Sequence, residues 1–71
     1  MEFKLHKDDK YFIDKQIKSL PDNTHMQHAL IKYREVFDAA FEREPIPNKK
    51  TNAARREANT RLRIFCEKVN K

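Results

Sequence analysis

Between Lys49 and Arg63 the chain reads KKTNAARREANTRLR, with six cationic side chains and one acid, Glu57. Guanidinium groups donate to phosphate oxygens as a two-pronged fork, ammonium groups act on them as point charges, and asparagine amides match the edge of adenine. The chemistry on offer is recognition of a polyanion rather than bond-making. On a helix turning about 100° per residue, Asn52, Arg55, Arg56, Asn59 and Arg63 fall in a sector roughly 100–200° round from Ala54, with no acid inside it. Lys49 and Lys50 stand at its entrance. These seven residues are expected to form one contact surface with Asn59 at its centre. All point away from the apolar side, so changing Arg56, Asn59 or Arg63 is expected to leave folding intact.

Other groupings of reactive side chains are weaker. His25 and His28 have a His-x-x-His spacing that, joined by His6 and Cys66, offers four candidate zinc ligands. They come from scattered positions and there is no second cysteine, so no metal site and no cofactor is expected. Cys66 falls at the edge of an apolar stripe and reads as a small half-buried core residue, not a nucleophile. Glu35, Asp38 and Glu42 share an outward sector with Ile31. Carboxylates strung along one helix face are solvated surface far more often than a metal or acid–base site. The only serine is Ser19, and glycine is absent from the chain. Glycine-rich phosphate loops and dinucleotide fingerprints need backbone that only glycine permits, so both are excluded. The chain is not expected to be an enzyme.

The elements that must carry these residues are helices. Without glycine, tight hairpin turns are disfavoured. Pro21, Pro45 and Pro47 divide the chain into three segments. The first, about Asp8 to Leu20, places Ile13, Ile17 and Leu20 on one face; Asp8 or Asp9 is expected to cap it, and Pro21 to end it. The alternating residues before it suggest an extended arm over residues 1–7. The second segment, from Asn23 or Thr24 to Glu44, has Met26, Ala29, Leu30, Tyr33, Val36, Phe37, Ala40 and Phe41 within about 140° of arc. Ile31 points outward. A proline-containing loop over 45–50 leads to the third segment, capped by Thr51 or Asn52 and running to Val69, with Ala54, Ala58, Leu62, Phe65 and Val69 on one face. Small side chains at Ala54 and Ala58 let it approach the second helix closely. The expected fold is all-α: a single small domain over residues 1–71, the two long helices antiparallel and the shorter first helix packed across them. Leu30, Phe37, Phe41, Leu62 and Phe65 are expected to pack together in its core.

With 71 residues there is little room for a catalytic cleft beside a core. The single cysteine and the absence of an apolar leader or of a spanning run of about 20 apolar residues lead to an expected cytoplasmic protein with no membrane partner. The net charge of +5 is unevenly placed: residues 49–71 hold eight Lys and Arg against two acids, whereas residues 1–48 are close to neutral. These features support a small non-enzymatic binding protein, acting on nucleic acid or as a nucleoprotein accessory factor through the basic face of the third helix. The joint before that helix is longer than the 3–4 residues of a helix-turn-helix and contains two prolines, which weighs against that motif. The alternative is a small regulator or inhibitor docking its basic helix on an acidic protein surface, a composition that suits a phage or mobile element. The acidic side of the second helix and the basic side of the third could also meet in a homodimer.

Overall fold

The computed structural model describes residues 7–70, with side chains from Asp9 to Asn70. It has three helices, α1 (Lys7–Lys18), α2 (Asn23–Arg43) and α3 (Lys50–Val69), with a single 3-10 turn, Pro47–Lys49, before α3. No strand occurs among the described residues. The all-α architecture is as expected: α2 and α3 pack most closely, and α1 lies across them. Cross-bonds give the directions. Tyr33 meets Asn59 and His28 meets Phe65, so α2 and α3 run antiparallel. Asp9 meets Arg55 and Gln16 meets Cys66, so α1 runs parallel to α3. Most of the arm expected over residues 1–7 lies outside the described residues, and Lys7 already belongs to α1. Among the described residues no helix is long and apolar enough to cross a membrane.

Helix ends follow local chemistry. Asp22, in extended backbone, caps α2 by accepting the His25 amide at 2.8 Å. The same oxygen lies 2.8 Å from the His25 ring. The His25 backbone hydrogen bond, then its side chain, hold the Asp22 carboxyl below the usual carboxylate range. At the other end Glu44 turns to extended backbone before Pro45, as a residue preceding proline must. The last carbonyls of a helix have no partners within it. Here Lys50 supplies them: its ammonium donates to the Glu44 carbonyl at 2.6 Å and the Phe41 carbonyl at 3.0 Å, and stands 5.4 Å above the Phe41 ring. A lysine thus ends α2 where a glycine turn is the common solution.

Two expected caps are displaced. The 3-10 turn feeds directly into α3, so Thr51 and Asn52 sit inside its first turn. The capping position is Lys49, already in helical backbone, with no side-chain cap. Asp9 lies inside α1 rather than at its start.

The core joins Ile13 and Leu20 of the α1 side to Ala29, Tyr33, Phe37 and Ala40 of α2 and Ala54, Ala58, Leu62 and Cys66 of α3. Ala54 and Ala58 are completely buried, which is the close approach expected of small side chains. Phe41 and Phe65 pack against this core half-buried. Leu30 departs from expectation: it is 48% exposed. The stripe is centred on Ala29, Tyr33, Phe37 and Ala40, and Leu30 lies at its margin, about 100° round from Ala29. The apolar arc on α2 is wider than the surface its neighbours cover. Ile31 is exposed as expected.

Candidate functional site

The structure divides the seven basic-face candidates into two groups. Arg55, Asn59 and Lys50 turn inward. The Arg55 guanidinium donates to the two carboxylate oxygens of Asp9, from Nε at 2.6 Å and from Nη2 at 3.3 Å. Asp9 is 6% exposed. Asn59 donates to Asp9 at 3.2 Å and accepts the Tyr33 hydroxyl at 2.7 Å. Burial of the carboxylate is tolerated because its oxygens are met by a charged fork and an amide. The expectation that Asn59 could be changed without touching the fold is therefore corrected: its amide links α1, α2 and α3. Lys50 closes the α2–α3 joint, as described above.

The cause is visible in the spacing. Asp9 continues the stripe of Ile13 and Leu20 by one further turn, so it enters α1's packed face rather than its cap. A carboxylate delivered there requires a cation from the facing helix, and Arg55 and Asn59 lie on the shoulder of α3 between its apolar stripe and its outer face. An acid at a core-facing stripe position is a signal that a pattern search restricted to apolar residues passes over.

The network raises the Tyr33 phenol. Burial, reinforced by the Asp9 carboxylate and opposed by Arg55, pushes it up to about 12. An unfolded phenol titrates near 10, so the protonated ring contributes stability that is complete below about pH 10 and is lost as the pH rises through 12. An alkaline absorbance titration is expected to show one phenol resisting ionisation to about pH 12, with helix content falling alongside it. Ionisation of both phenols by about pH 11 with the helices intact would show the Tyr33 hydroxyl to be solvated.

The second group remains outward. Lys49, Asn52, Arg56 and Arg63 are exposed, and the three cations pair with no acid among the described residues. Lys49, Arg56 and Arg63 are seven residues apart, about 10.5 Å per step, and follow one line along the helix. The Arg61 and Glu57 side chains form an i, i+4 pair, at 3.6 Å and exposed. The acids of α2 are likewise exposed, with Glu35 3.5 Å from Lys32 and Asp38 3.9 Å from Arg34.

The three zinc candidates among the described residues, His25, His28 and Cys66, are not grouped as a metal site. His25 is held by Asp22, while His28 sits edge-on to Phe65 with ring centres 6.0 Å apart. Cys66 is 2% exposed, more deeply buried than expected, and its Sγ donates to the Gln16 carbonyl at 3.4 Å. Burial pushes its thiol up, against a Ser19 hydrogen bond. His6 lies outside the described residues. Among the described residues, no group of three or more His, Cys, Asp and Glu is placed to hold a metal ion.

A groove that the sequence did not suggest runs between α2 and α3, with a volume of about 450 Å³. Val36, Ala39, Ile64 and Phe65 line it, and Lys32, Arg43, Arg61 and Lys68 stand around it with one acid, Glu57. Its walls belong to two helices, so spacing within either one could not reveal it. No known protein family, curated protein or solved structure matches this chain.

Proposed function

We infer that the protein is a non-enzymatic binding module whose ligand is nucleic acid, held by the outer face of α3. The observation that supports this reading is the line of Lys49, Arg56 and Arg63, exposed and without acid partners, with Asn52 beside it. Unpaired cations along a straight rod suit a backbone of regularly placed phosphates, where each contact releases condensed counterions. Such contacts position a ligand without reading its sequence. Asn52 is the one outward amide in the group able to add a base contact. Arg55 and Asn59 serve this face indirectly, by fixing α3 against α1.

The test is a salt titration of binding to duplex DNA, single-stranded DNA and RNA. Three phosphate contacts on a duplex correspond to a slope of about −3 in log affinity against log salt. Arg56→Ala or Arg63→Ala is expected to reduce that slope by about one and to weaken all duplex sequences alike. Asn52→Ala should leave the slope unchanged and reduce only discrimination between sequences. Absence of binding to all three nucleic acids at low salt would overturn the reading. An acidic protein surface would then be the ligand class left for the same line of cations.

A further inference from the structure

We propose that the groove between α2 and α3 receives α2 of a second copy of this chain, forming a twofold dimer. The proposal is independent of nucleic-acid binding, since the groove uses none of Lys49, Asn52, Arg56 or Arg63.

The groove has the two properties that a helix-binding groove needs, an apolar floor and a charged rim. Four cations and one acid give that rim a net excess of three positive charges. Arg43 and Lys68 have no acid partner among the described residues. The pairs made by Lys32 and Arg61 are exposed, and such pairs contribute little and exchange readily. What the groove lacks is a helix carrying carboxylates. The chain supplies one. Glu35, Asp38 and Glu42 lie exposed on α2 beside Ile31, which is 57% exposed.

The angular order on α2 permits both roles at once. Around its axis come first the residues facing α3, such as Ala29, then the groove-lining Lys32 and Ala39, then Glu35 and Glu42. Successive sectors lie about 60° apart. In a rhombus of four helices, these are the directions in which α2 meets its own α3, the second α2 and the second α3. A twofold axis then repeats every contact and closes the assembly, leaving no open end for further addition.

The register also fits. Let the two α2 helices run antiparallel, with Lys32 of each copy opposite Glu35 of the other. Ile31, about 40° beyond Glu35 round the axis, then stands outside the groove at the outer edge of the contact. Within one chain Tyr33 meets Asn59 and His28 meets Phe65. Those levels bring Glu35 and Glu42 of the second copy beside Arg61 and Lys68. Both pairs of residues are seven apart, about 10.5 Å, so the two charge contacts form together on parallel helices.

Sedimentation equilibrium of the full chain over a range of concentrations tests this. Wild type is expected to pass from monomer to dimer. Glu42→Lys alone and Lys68→Glu alone should each raise the dimer dissociation constant at least about tenfold, since two contacts per dimer become repulsive. An equimolar mixture of those two variants should dimerise again, because both contacts are then between opposite charges. The double variant carrying both changes in one chain should dimerise for the same reason. Both side chains are exposed, and helical circular dichroism confirms that each variant is folded. A wild type that stays monomeric at the highest concentrations would overturn the proposal. So would a dimer indifferent to the single reversals, or single variants that the mixture does not rescue.

Discussion

Arg55→Ala is expected to destabilise the protein by about 3–5 kcal/mol, the range for leaving one member of a buried ion pair without its counterpart. A domain of this length has only about 4–11 kcal/mol in total, at roughly 0.05–0.15 kcal/mol per residue. A large share of the stability thus depends on a residue that composition would place among the surface cations. Asp9 is 6% exposed, and its carboxylate takes two of its bonds from Arg55. Removing the guanidinium leaves that charge in the packed face of α1 with the Asn59 amide still bonded to it. Changing both residues together, Asp9→Leu with Arg55→Met, should cost far less than Arg55→Ala, because no buried charge then remains. Urea denaturation of the single and double variants separates the two outcomes. If Arg55→Ala cost less than about 1 kcal/mol, Asp9 would have to be solvated, and the internal role of Arg55 would be wrong.

Phe37→Ala should produce a loss of similar size by a different route. The ring is 8% exposed, belongs to the core and stacks on Phe41 with centres 6.4 Å apart. Truncating a buried phenylalanine typically costs about 3–5 kcal/mol, combining lost transfer energy with the cavity left behind. Leu30→Ala is the internal comparison. With its side chain 48% exposed, it should cost under about 1 kcal/mol, although both residues lie on the same apolar arc of the sequence. A thermal melt of the two variants decides the matter. If Phe37→Ala melted within a few degrees of wild type, the core assignment on α2 would fail.

The three helices were legible because their signals are local. Proline positions, 3.6-residue apolar spacing and small residues at Ala54 and Ala58 act within one or two turns of chain. The limits of the core were harder to read. An apolar arc states what a helix can bury, and its neighbours decide what it does bury, as Leu30 shows. The candidate face was legible in outline only. Residue type and helical angle marked Lys49, Asn52, Arg56 and Arg63 as outward, where the structure places them. The same criteria put Arg55 and Asn59 in that group, because the acid that claims them is more than forty positions away, on α1. Lys50 was assigned to the same surface because nothing in its neighbourhood announces that the carbonyls of α2 lack a donor. Charge pairing across distant segments is set by topology, and a helical wheel of one segment carries no topology.

The attachment of α1 has a consequence for the order in which the fold is assembled and taken apart. The hairpin of α2 and α3 closes over a short joint and gains contacts local in sequence, which form early and rapidly. The polar bonds tying α1 to α3 bridge 46 to 51 residues, from Asp9 with Arg55 near one end to Ser19 with Asn70 at the other. Their loop-closure entropy is met only once the hairpin stands. Between those ends, α1 packs among the described residues through Ile13, Leu20 and the half-buried Phe12 and Ile17. It is accordingly the element that can detach as a unit at less than the full unfolding free energy. Such an opening would carry the charge of Asp9 into water and uncover the Cys66 thiol, while the outer line of cations on α3 kept its shape.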